Sequence, residues 1–84
     1  MKLQYDCKYL SSERKKAKNG VDFLCVTCCE SVTNKIDKVC FFDSKLFDII
    51  ENLQRDALMV IFFNYYYSAK LRKNVLIAYD VVLC

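Results

Sequence analysis

Six cysteines and no histidine set the first limit on the chemistry of this 84-residue chain. Cys25-x-x-Cys28 has half the spacing of a zinc ribbon, but no second pair at similar spacing completes it. Three positions apart in a strand, the two side chains also point to opposite faces. Cys7, Cys25, Cys28, Cys29, Cys40 and Cys84 therefore read as small buried hydrophobes rather than metal ligands or a secreted disulfide framework, and no metal or cofactor is expected. The chain has no glycine-rich phosphate loop and no nucleophile–base pairing. Asp37, Asp43 and Asp48 fall around turns and a helix start, where solvating and capping roles account for them. An enzyme is not expected.

The cations are more informative. The net charge is only +3, but residues 1–20 carry six basic and two acidic groups, residues 21–56 four and seven, and residues 57–84 three and one. Both ends are basic and the middle is acidic, a polarity that speaks to a partner. Arg14, Lys15, Lys16 and Lys18 crowd one polar stretch, Ser11 to Gly20; Lys70, Arg72 and Lys73 crowd another, Ser68 to Asn74. Tyr65-Tyr66-Tyr67 lies beside the second. Cations that follow phosphates and rings that stack on bases, at about 1–3 kcal/mol per base, are what a nucleic-acid single strand requires. Candidate rings are Tyr9, Phe23, Phe41, Tyr65, Tyr66 and Tyr67. In a strand Tyr65 and Tyr67 share a face and Tyr66 takes the other, so at least one tyrosine meets water or a partner. Phe41, Phe42, Phe62 and Phe63 read as core. Asp22, Glu30 or Asp37 on the same face would oppose phosphate binding.

These groups must be positioned by a short, dense fold. With no proline, one glycine and 55% hydrophobic residues, the chain is a single domain over 1–84 and not a linker or a disordered tail. Its longest apolar run, Ala57 to Tyr67, is too short for a spanning helix, which needs about 20 residues, and the N-terminus lacks a signal-peptide core. No membrane association and a cytoplasmic location are expected.

The last third organises the rest. Ala57–Tyr67 and Val75–Leu83 are β-propensive runs joined by polar residues, a hairpin pattern. Lys2 to Tyr9 alternates strictly, with Leu3, Tyr5, Cys7 and Tyr9 opposite Lys2, Gln4, Asp6 and Lys8. Ser11 to Asn19 reads as a loop closing at Asn19-Gly20. Val21 to Ser31 is a second strand, apolar on both faces; Val32 to Lys35 turns, and Ile36 to Phe42 is a third strand. Leu46, Phe47, Ile49, Ile50 and Leu53 then follow a helical period, capped by Asp43 or Ser44 and ending near Asn52 to Asp56.

The order strand, strand, strand, helix, strand, strand over the whole chain resembles the OB-fold. The expected class is mainly β with one α-helix: a five-stranded OB-like barrel, or a strongly curved, mostly antiparallel sheet. The opening Met1-Lys2-Leu3-Gln4-Tyr5-Asp6-Cys7-Lys8-Tyr9 is also similar to small accessory proteins of Gram-positive phages and mobile elements. The OB-fold resemblance implies a site on strands two and three, flanked by the loops after strands one and four. Those loops are the two basic stretches. The resemblance thus implies non-specific binding of single-stranded DNA (or RNA), alone or as the accessory subunit of a DNA replication or recombination protein. Arg14, Lys15, Lys16, Lys18, Lys70, Arg72 and Lys73 are expected on phosphates, and Phe23, Tyr65 and Tyr67 under bases. The alternative is a protein–protein interaction module that meets a larger replication protein, or a second copy as a homodimer, through a strand edge such as Val81–Cys84.

Overall fold

Alternation of apolar and polar side chains decides most of this molecule. The structure, a computed structural model, describes residues 3–84. Lys2, expected to open the first strand, lies outside the described residues, as does Met1. The elements are β1 (Leu3–Lys16), β2 (Asp22–Glu30), β3 (Ile36–Phe41), a 3₁₀ turn (Ser44–Leu46), α1 (Phe47–Glu51), β4 (Leu58–Ser68) and β5 (Lys73–Leu83).

The strands close into a barrel in the order β1-β2-β3-β5-β4, so of the two expected architectures the closed one forms. β1 serves both sides of the closure. Its first half, Leu3–Lys8, pairs antiparallel with Phe63–Leu58 of β4, and its second half runs antiparallel along β2 as far as Lys16↔Asp22. Between them the register with β2 shifts at Tyr9/Ser11, a bulge at Leu10 that bends the strand from one neighbour to the next. The barrel corner is turned without glycine. β3 and β5 run parallel and complete the ring.

One expectation fails here. Ser11 to Asn19 is not a loop: Ser11–Lys16 continues β1, because ladder bonds to β2 outweigh the weak strand propensity of polar residues. The true connection is Ala17–Val21, in which Gly20 takes φ +83° and its amide donates to the Ala17 carbonyl at 2.9 Å.

The core is the inward face of every strand. Cys7 and Tyr9, Leu24, Val26 and Cys28, Val39 and Phe41, Met59, Ile61 and Phe63, and Ala78 are all buried. α1 closes the barrel with Phe47 and Ile50; the Asp43 carboxylate accepts from the Lys45 amide at 3.0 Å and caps the turn before it. Ile49, expected on the buried stripe, is 45% exposed, since a five-residue helix turns only positions three apart inward.

Two further readings need correction. Phe42 and Phe62 are not core: with Phe41 and Phe63 inward, period-2 alternation turns both outward, Phe42 to 41% exposure and Phe62 to a half-buried position. Among the cysteines, only Cys7 and Cys28 are core fillers. Cys25, Cys29 and Cys40 are half-buried and Cys84 is exposed, because they occupy outward positions or the chain end.

Candidate functional site

The outward face of β1, β2, β3 and β5 carries the residues that could bind a ligand. Leu24 and Val26 point in, so Phe23, Cys25 and Thr27 point out; Val39 and Phe41 point in, so Lys38, Cys40 and Phe42 point out. Register then assembles rows across the face. Lys15 stands opposite Phe23; Cys25 stands opposite Cys40 and Thr27 opposite Lys38. One step beyond, the Phe23 and Phe42 rings stack with centroids 5.0 Å apart and 24° between planes. Two stacked aromatic rings on the outer face of the sheet, Phe23 half-buried and Phe42 exposed, offer an aromatic surface to a ligand.

The β4–β5 hairpin stands over this face and makes it a groove. One half, about 520 Å³, is bordered by Lys15, Lys38 and Lys73. The other, about 560 Å³, is bordered by Lys18, Lys70 and Tyr66. The halves adjoin, with Phe23, Cys40, Leu71 and Val75 lining both. All five ammonium groups belong to exposed residues, and the ion pairs among the described residues engage Arg14, Lys16 and Lys35 instead.

Of the acids that would oppose an anion, Asp37 borders the groove. Its carboxylate accepts the Tyr5 hydroxyl at 2.9 Å and faces the Lys35 ammonium at 3.9 Å. Burial, then this bond, push the Tyr5 hydroxyl well above its ordinary range, so it stays a donor. Asp22 pairs with Lys16 at 3.7 Å. Glu30 turns to the Val32 and Thr33 amides and the Thr33 hydroxyl, which together hold its carboxyl below the ordinary range.

Of the expected contacts, Lys15, Lys18, Phe23, Lys70 and Lys73 border this one groove. Arg14 does not. It faces the helix side, where its Nε and Nη2 donate to both Glu51 oxygens at 2.8 and 2.6 Å and its guanidinium lies 5.4 Å from the Phe47 ring. The Glu51 carboxylate raises the Arg14 pKa, and Arg14 lowers that of Glu51. Lys16 is the partner of Asp22, and Arg72 sits in the hairpin turn with φ +54°. Tyr65 and Tyr67, 57% and 60% exposed, continue the face of Phe63, against which Tyr65 packs edge-on at 5.3 Å. Tyr66 takes the opposite face and borders the groove.

Lys38 and Phe42 are therefore groove residues absent from the expected contacts, and Tyr66, a candidate ring, borders the groove where Tyr65 and Tyr67 do not. The signal for Phe42 and Lys38 was alternation in the third strand, hidden because Phe41-Phe42 reads as one apolar block.

A closed five-stranded barrel with a helix between β3 and β4 and a groove across β2–β3 is the OB-fold. Crystal structures of the mitochondrial single-stranded DNA-binding protein Rim1 from S. cerevisiae share it. One superposes with a TM-score of 0.81 at 10% identity, covering 100% of this chain and 93% of that chain. A second crystal form gives 0.76 at 12% identity, covering 99% and 94%. No protein-family model and no curated protein sequence matches the chain.

Proposed function

We propose that this protein binds single-stranded DNA without sequence preference, through the groove between the β2–β3 face and the β4–β5 hairpin. The observation that carries the reading is the Phe23–Phe42 stack on the outer face of the sheet, bordered by lysines from both flanking connections. Bases would lie on the rings and on Tyr66; Lys15, Lys18, Lys38, Lys70 and Lys73 would follow the phosphates. The likeness to a barrel whose name states single-stranded DNA binding supports it. The role is binding, with no catalysis.

We further assign it as an accessory subunit of a replication or recombination protein, in the cytoplasm of a cell that carries a phage or mobile element. The outer face of β4 and β5 favours a protein contact, with Leu58, Tyr79 and Val82 each 46–51% exposed away from the groove.

Fluorescence anisotropy with a labelled oligo-dT of about 20 nucleotides, titrated at several salt concentrations, tests the groove. Micromolar or tighter binding with a steep negative salt slope is expected. No binding at low salt overturns the reading and leaves the protein-interaction module, to be pursued by pull-down.

A further inference from the structure

The cysteines divide into two environments, and only one of them faces space. Cys7 and Cys28 are buried at 1% and 0% exposure, sealed inside the barrel. Cys25 and Cys40 are half-buried on the outside, and both border the groove. Register places them directly opposite each other on adjacent antiparallel strands. Opposed residues of such a pair have Cα atoms about 4.5–5.5 Å apart and side chains on the same face. That lies inside the span of about 4.4–6.8 Å which a disulfide bridges. We propose that Cys25 and Cys40 form a redox-active dithiol in the groove floor, which a low-molecular-weight disulfide such as oxidised glutathione converts to a cross-strand disulfide.

The chemistry balances in two exchanges. The Cys25 thiolate attacks one sulfur of the small disulfide; a Cys25 mixed disulfide forms and one small thiolate leaves and takes up a proton. The Cys40 thiolate then attacks the Cys25 sulfur, closing the Cys25–Cys40 bond and expelling the second small thiol. The protein dithiol loses two electrons and two protons, and the small disulfide gains them. Burial and the neighbouring Cys25 push the Cys40 thiol up, while the Lys15 ammonium opposes them, which suits Cys40 to the second, intramolecular step, where proximity offsets a low thiolate fraction. The groove of about 520 Å³ admits the oxidant. A single-stranded nucleic acid in the groove is not needed for the reaction, so this site stands or falls independently of the proposed function.

The test is thiol–disulfide titration of the folded, fully reduced chain against mixtures of oxidised and reduced glutathione. Remaining thiols are trapped by alkylation and mapped by intact mass and by peptide. Exposed Cys84 reports that oxidant is active, and buried Cys7 and Cys28 report that the fold is intact. The expected result is a Cys25–Cys40 disulfide in the monomeric chain, Cys7 and Cys28 still reduced, and no lasting glutathione on Cys25 or Cys40. In Cys40→Ser the reaction stalls with glutathione on Cys25. Free Cys25 and Cys40 in wild-type protein whose Cys84 is glutathionylated overturn the proposal, as do separate, persistent glutathione adducts on both.

Discussion

The Phe23 and Phe42 rings lie 5.0 Å apart and 24° from parallel on the outside of the barrel, one residue away from Leu24 and Phe41, which are fully buried. Adjacent positions thus split between holding the fold and meeting a ligand. Phe42→Ala is expected to weaken oligo-dT binding by about 1–3 kcal/mol while leaving the circular dichroism spectrum unchanged. Phe23→Ala should act similarly, with the double variant losing less than the sum because the rings support each other. Unchanged anisotropy in both single variants would remove the stack from the mechanism.

The five groove lysines differ from Arg14 in a way that salt reports. Each phosphate contact with a single strand contributes about 0.7 to the log–log salt slope. Lys15→Gln, Lys38→Gln and Lys73→Gln are therefore expected to flatten the slope by roughly that much each. Arg14→Gln should leave it unaltered, since that guanidinium is held by Glu51 on the helix side. A slope that responds to Arg14 and not to the lysines would move the phosphate path to the other side of β1.

The same ion pair predicts an acid dependence. Arg14 holds the Glu51 carboxyl below its ordinary value, so the unfolded chain binds the proton more readily than the folded one. The stabilisation is complete above the unfolded value, about 4.3, and is lost as pH falls through the folded one. Thermal midpoints of wild type and Glu51→Gln should differ near neutrality and converge on acidification. A gap that stays constant with pH would mean that packing, not charge, is what the substitution removed.

Helix α1 acts as a plug, and Ile50 is its deepest residue at 0% exposure. Ile50→Ala is expected to cost about 2–5 kcal/mol in urea unfolding. Ile49→Ala, at a site 45% exposed, should fall within about 0.5 kcal/mol of wild type. Equal losses at the two positions would contradict the orientation of the helix.

Much of the barrel is written in local pattern. Strict alternation in Leu3 to Tyr9, the apolar runs of the last third, and the helical spacing from Leu46 to Leu53 determine the element order and most of the core, because each reports which side of a strand or helix is dry. The two basic stretches were also legible as candidate ligand contacts. Tertiary structure decided the rest. Ser11–Lys16 became strand only because β2 supplies a partner for its backbone, and the corner at Leu10 has no residue signature, since a bulge needs an extra residue rather than a glycine. Which cations share a groove was settled by register and by the hairpin's placement: neighbours Arg14 and Lys15 point to opposite faces, one to Glu51 and one to the Phe23 row. Sequence gives the side chains and their spacing. Only closure of the sheet says which of them meet.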